Sequence, residues 1–236
     1  MLDIRNFSKT YRGGKRAVRD LTLAVEPGSI VGFIGHNGAG KTTTIRAIAG
    51  VLDFEEGDIF VGGHSIKREP IACKKMLAYV PDNPDLYEYL TGIQHLNFIA
   101  DVFEIPSGDR EERTREYAGL FSLTGNLGDS IGSYSHGMKQ KLTLIGALMR
   151  DPKLLVLDEP FVGLDPVAAH VFKEQLHALC KRGGAVFFST HVLDVAEKLC
   201  DKVAIIKDGA LVAFGDTDKV RGDGSLEQLF LELIEQ

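Results

Sequence analysis

Apolar positions fall into short runs with two different periods. Residues 2–7 and 18–25 alternate apolar and polar, as strands with one buried face do. Residues 29–34 are apolar almost throughout and stop at Gly35, which predicts a strand buried on both faces. Residues 42–49 switch to helical spacing through Ile45, Ile48 and Ala49 and stop at Gly50. Strand, glycine loop and helix therefore follow one another directly. Residues 58–63 form another short strand closed by Gly62 and Gly63, and residues 77–80 are strand-like.

The middle of the chain has the other period. Residues 89–103 carry Leu90, Ile93, Leu96, Phe98 and Ile99 at helical spacing. Residues 109–121 form a charged helix with Tyr117, Leu120 and Phe121 on one side, and the charge run over 109–113 is its solvated face. A third helix covers 135–149, with Leu142, Ile145, Leu148 and Met149 inward. Strands return at 154–157 and 185–188. Residues 202–207 and 210–214 flank Asp208-Gly209, a hairpin signal. Residues 225–234 place Leu226, Leu229, Phe230, Leu233 and Ile234 on one helical stripe that reads as core packing. The pattern predicts an α/β unit interrupted by a helical insertion near 85–150, with the flanking strands sharing one sheet.

Composition narrows the class. The 236 residues are 44% hydrophobic and 25% charged, ordinary for a globular chain and enough for a substantial core. The net charge of -6 argues against a nucleic-acid binder that relies on bulk positive charge. Cys73, Cys180 and Cys200 are too scattered for a disulfide framework or a zinc cluster. No apolar run reaches the ~18–20 residues needed to cross a bilayer. Residues 1–16 hold no apolar stretch of signal-peptide type, so a cytoplasmic location is expected.

Candidate chemistry begins where the first buried strand ends. Gly35-His36-Asn37-Gly38-Ala39-Gly40-Lys41-Thr42 matches G-x-x-x-x-G-K-[ST], which a chain of this length meets by chance roughly 1% of the time. Glycines let the backbone turn its N–H groups onto phosphate oxygens, and the following helix presents its positive end. Lys41 is expected on the β- and γ-phosphates and Thr42 on Mg²⁺, with Thr43 next in the helix. The strand over 154–157 runs into Asp158-Glu159. Asp158 is a candidate Mg²⁺ ligand and Glu159 a candidate for polarising the attacking water. His191 ends another strand, where ligands bind in open α/β sheets. Read alone, an Asp-Glu pair opening a loop and a lone histidine are also ordinary surface features.

Taken in order, these motifs resemble the ATP-binding subunit of ABC transporters, over nearly the whole chain. Tyr134-Ser135-His136-Gly137-Met138 resembles the family's Leu-Ser-Gly-Gly-Gln signature, keeping the serine and the second glycine. An N-capping serine starting a helix gives the same local pattern. Gly163-Leu164-Asp165-Pro166 resembles the D-loop, although an Asp-Pro turn alone reads the same way. Tyr11 resembles the adenine-stacking aromatic, or is equally a surface tyrosine. Where the family carries the Q-loop glutamine, this chain has Asp82, which keeps an oxygen for Mg²⁺ and loses the amide. The signature and Q-loop forms look similar to those of bacterial ABC-2-type exporter ATPases.

The resemblance implies one domain over 1–236. Its fold would be an α/β P-loop NTPase, with a RecA-like core and antiparallel β portion from 1–84 and 151–224. A helical subdomain over 85–150 and a C-terminal helix over 225–236 complete it. It implies Mg²⁺-dependent ATP hydrolysis that powers a separate transmembrane permease at the inner face of the membrane. Two ATPases, identical or related, would pair so that Ser135 and Gly137 face ATP held by the partner. The alternative is a soluble ATPase of the same family acting on nucleic acid or ribosomes. Such proteins usually carry long coiled coils or two linked halves, and this chain has neither. A GTPase is disfavoured because no Asn-Lys-x-Asp segment occurs.

Overall fold

The structure, a computed structural model, describes the backbone of residues 1–235 and the side chains through Leu233. Ile234 of the C-terminal stripe and Gln236 of the expected 225–236 segment thus lie outside the described side chains and residues, respectively.

In chain order the elements are β1 (Leu2–Thr10), β2 (Arg16–Val25), β3 (Ile30–Ile34), α1 (Lys41–Ile48), β4 (Glu56–Val61), β5 (His64–Ser65), α2 (Pro70–Met76) and β6 (Leu77–Val80). The helical middle holds α3 (Gly92–Val102), α4 (Ser107–Leu120) and α5 (His136–Leu148). Then come β7 (Leu154–Asp158), α6 (Pro166–Lys181), β8 (Ala185–Thr190), α7 (Leu193–Leu199), β9 (Lys202–Lys207), β10 (Ala210–Asp216), α8 (Thr217–Arg221) and α9 (Leu226–Glu235).

A six-stranded sheet runs β10-β9-β3-β8-β7-β6, parallel except for the edge strand β10. A four-stranded antiparallel sheet runs β2-β1-β4-β5. The mixed α/β class expected from the pattern is therefore the observed one. The strands before and after the helical segment do share a sheet, since β3 lies between β8 and β9 and β6 pairs with β7.

Unbroken apolar strands result because the central sheet is covered on both faces. Ile30, Ile34, Leu155, Leu157, Val186 and Phe188 point into one core with the helices α5 and α6. Val31, Phe33, Leu154, Val156, Ala185 and Phe187 point into the other, against α1 and the antiparallel sheet. Each such buried Val, Leu, Ile or Phe contributes about 1.5–3 kcal/mol. The chain order 3-8-7 in the sheet centre brings the C-terminal ends of β3, β7 and β8 to one edge.

The helical segment is capped locally. Thr91 and Gln94 form a reciprocal box at the start of α3, and Ser135 accepts from the Met138 N–H at the start of α5. Two residues of these helical patterns turn towards solvent. Phe98 is 46% exposed, because it sits roughly 200° round the helix from buried Leu96. Leu120 is exposed beside buried Phe121, on the flank of its helix. Leu226 is buried, and Leu229, Phe230 and Leu233 pack partly buried against the core, as the C-terminal stripe requires.

Candidate active site

The loop from Gly35 to Gly40 leaves β3 and closes onto α1. Gly40 has φ +110°, and a Cβ there would lie 2.5 Å from the Ala17 carbonyl oxygen. Glycine is thus demanded both by conformation and by the neighbouring strand. A Cβ on Gly35 would likewise meet the Ile206 carbonyl oxygen at 2.6 Å. Lys41 is buried, and its Nζ donates to the carbonyl oxygens of Gly35 at 2.6 Å and His36 at 3.3 Å. The loop's own backbone therefore holds the ammonium.

This loop borders a cavity of about 280 Å³. His36, Asn37, Gly38, Gly40, Lys41, Thr42 and Thr43 line it, together with Tyr11, Asp82 and Glu159. Gly35 and Ala39 do not line it. Ala39 is fully buried, and its carbonyl accepts from the Gly209 N–H at 3.0 Å. Tyr11 follows β1, is 40% exposed, and its hydroxyl lies 3.2 Å from Thr43 Oγ1. Lys15 and Ala17 also line the cavity, and no sequence motif marks either. They arrive through the β1–β2 hairpin, whose packing onto the loop carries no sequence signal.

The carboxylates stand beside the loop. Asp158 is fully buried on the last position of β7, in register with Ser189 of β8. Ser189 Oγ donates to Asp158 Oδ1 at 2.5 Å, while Asp158 Oδ2 is buried without a hydrogen-bond partner. Burial pushes the Asp158 carboxyl up, the Ser189 and Thr42 hydroxyls pull it down, and the Asp82 and Glu159 charges push it up further.

Glu159 takes φ +46°, and this turn brings the second carboxylate round to the same side as the first. Its Oε1 lies 3.6 Å from Lys41 Nζ and 3.0 Å from His191 Nδ1. The Glu159 N–H donates to Ser189 Oγ at 3.0 Å. Asp82 is exposed, and its Oδ1 accepts from the Asn83 N–H at 2.9 Å. The fold thus gathers Lys41, Thr42, Asp82, Asp158, Glu159 and His191 at one sheet edge. Ser189 was not foreseen; only the β7–β8 register reveals it.

Ser135 and Gly137 lie apart, outside the cavity lining. Ser135 is exposed at the start of α5. A Cβ on Gly137 would meet the Gly163 carbonyl oxygen at 2.7 Å, and the His136 ring lies against Gly163, which has φ +81°. Lys141 Nζ pairs with Asp165 Oδ2 at 2.7 Å, and Gln140 Nε2 donates to the Pro160 carbonyl at 3.2 Å. The signature segment and the 163–166 turn are therefore fastened to each other.

Known proteins are similar to this chain in sequence and fold. The profile of the ABC transporter family matches residues 18–162. The ABC-type transporter ATP-binding protein EcsA of Bacillus subtilis is 35% identical over all of this chain and 97% of its own length. A solved ATP-binding subunit of an ABC transporter has a TM-score of 0.95 at 34% identity, covering 99% of each chain. A dimeric ATP-binding cassette, solved in a post-hydrolysis state with ADP and phosphate, has a TM-score of 0.84 at 21% identity over 92% of this chain and 99% of its own. Phosphate loop, acidic strand end, family profile and whole-chain relatives agree: the chain belongs to the ABC transporter family, as an ATP-binding and ATP-hydrolysing subunit.

Proposed function

We propose that this subunit binds MgATP with the residues gathered at the sheet edge and hydrolyses it to drive a separate membrane-spanning partner. Glu159 carries the reading: its carboxylate stands between the phosphate-loop ammonium and the His191 imidazole, at 3.6 and 3.0 Å. Lys41 and the first N–H groups of α1 receive the β- and γ-phosphates. Glu159 accepts a hydrogen bond from the attacking water and orients it, and His191 holds that carboxylate in place. Tyr11 stacks on the base.

The residues fit Mg²⁺, a hard cation that keeps several water and phosphate ligands and needs few protein oxygens. The unpartnered Asp158 Oδ2, the Thr42 hydroxyl and the Asp82 carboxylate are the candidate oxygens. Bound there, the ion would neutralise charge on the phosphates.

Two such subunits, identical or related, would close around two ATP molecules, with Ser135 and Gly137 of one facing the γ-phosphate on the other. Their position outside the cavity of their own chain favours this. Among the described residues no helix is long and apolar enough to cross a membrane, which fits peripheral attachment through the partner at the inner membrane face. The division into a core over 1–84 and 151–224 and a helical subdomain over 85–150 is part of the same reading.

Glu159→Gln tests it. Hydrolysis should fall by ~10²-fold or more, the scale of losing a general base, while ATP binding persists. An ATP-dependent dimer should accumulate by size-exclusion chromatography and disappear when Ser135→Arg is added. Near-native turnover in Glu159→Gln would overturn the assignment.

A further inference from the structure

We infer that Ser189 is a positioning residue for hydrolysis, whose single buried hydroxyl holds both acidic residues of the site. The inference rests on the roles proposed above for Asp158 and Glu159. β7 and β8 are parallel neighbours, and Asp158 lies in register with Ser189. Alternation places Val156 and Asp158 on one face, and Phe187 and Ser189 on the same face of the next strand. Both polar side chains are fully buried there.

A hydroxyl has one proton to donate and lone pairs that accept. The Ser189 proton goes to Asp158 Oδ1 at 2.5 Å, and a lone pair accepts the Glu159 N–H at 3.0 Å. The two bonds have separate effects. The first pins the Asp158 carboxylate through Oδ1, while the buried Oδ2, on the carboxyl that the Thr42 hydroxyl also acts on, makes no close hydrogen bond. The second supports Glu159 at φ +46°, a conformation that residues with a side chain rarely adopt. From that turn the Glu159 carboxylate reaches Lys41 Nζ and His191 Nδ1. The same strand end adds the His191 N–H, 3.4 Å from Glu159 Oε2. Ser189 does not line the cavity, so it acts only through its two neighbours.

Losing the hydroxyl leaves Asp158 buried with neither oxygen held by Ser189, and leaves the Glu159 turn unsupported. The Mg²⁺ response and the chemical step should suffer, whereas the phosphate loop itself is untouched.

The test compares Ser189→Ala with Ser189→Cys, which keeps the side-chain shape but replaces the oxygen with a somewhat larger sulfur, a weak donor and acceptor. Both should lower kcat about tenfold or more, the scale of one hydrogen bond to a charged group. Both should raise the Mg²⁺ concentration for half-maximal rate several-fold. ATP affinity measured in EDTA should stay within about twofold, because Lys41 and the loop amides are unchanged.

Native kcat and Mg²⁺ dependence in Ser189→Ala would overturn the inference. So would a native-like Ser189→Cys beside a slow Ser189→Ala, since the position would then need only volume. A slow Ser189→Ala that also loses ATP binding in EDTA and melts lower would reduce the residue to packing, which likewise overturns it. Glu159→Gln, measured alongside, separates the two levels. If it hydrolyses ATP normally, the proposed roles fail. If it is slow while Ser189→Ala is native, only the Ser189 inference fails.

Discussion

The phosphate-loop edge and the helical segment are built on different rules. At the loop edge, polar side chains are held by backbone or by buried partners. Lys41 is fixed by two carbonyls of its own loop, and Asp158 by a fully buried serine. Their strands are covered on both faces. The segment from α3 to α5 is held instead by caps, by exposed ion pairs such as Lys139–Glu88 at 2.5 Å, and by a one-sided core. Its outer surface carries Phe98, whose ring centroid lies 6.3 Å from that of Tyr87 in the loop before α3, and Tyr87 lies 5.8 Å from Tyr89 in the same loop. The contrast teaches where tolerance lies. Chemistry sits where backbone geometry is over-determined, and the segment beside it depends on a few fastening points.

The largest effect should come from breaking the over-determined side. Gly40→Ala places a Cβ 2.5 Å from the Ala17 carbonyl in a backbone of φ +110°. Strain of roughly 1–3 kcal/mol from the backbone alone, with the clash added, should open the loop. ATP binding, followed by a fluorescent nucleotide, should be lost, and the melting temperature should fall. Retained affinity would mean that the loop adapts and that the contrast is overstated.

A smaller effect should follow from loosening a fastening point. Gly137→Ala puts a Cβ 2.7 Å from the Gly163 carbonyl, so α5 and the 163–166 turn must separate. Binding of ATP to the loop should stay within about twofold, while hydrolysis falls roughly tenfold, a selective loss of the catalytic step. Steady-state kinetics beside a binding isotherm would check this. Equal loss of both would show that the two regions are not separable.

The smallest effect concerns the helical segment alone. His95 of α3 is buried, its Nδ1 has no hydrogen-bond partner, and burial holds its pKa below the ordinary 6.5. The folded protein therefore resists the proton that the unfolded chain accepts. This contribution is complete above the ordinary value and is lost as pH falls below it towards the folded pKa. Native protein should lose up to about 1.4 kcal/mol per pH unit in that window, relative to a His95→Leu variant. Denaturant titrations across the window measure the difference. Parallel curves would show that His95 is hydrated at no cost.

The nucleotide chemistry was legible because it is local. An apolar run ending at Gly35, five more residues and a helix place Lys41 at a helix start without any long-range contact. The strand ending in Asp158-Glu159 and the serine start of α5 are local for the same reason, as backbone hydrogen bonding and alternation act over a few residues. Short helices such as α2, α7 and α8 carry too few turns for a periodic signal, and they are stabilised by the sheets they lie on.

What only the tertiary structure decided is register and adjacency. The letters of Phe188 and Ser189 do not say that the serine stands opposite Asp158; parallel pairing of β7 and β8 does. Nor do they say that Ala17 blocks any side chain at Gly40, or that Gly163 leaves no room for one at Gly137. These contacts join residues far apart in the chain. Their energy depends on how whole strands and helices dock, so no short window of sequence contains it.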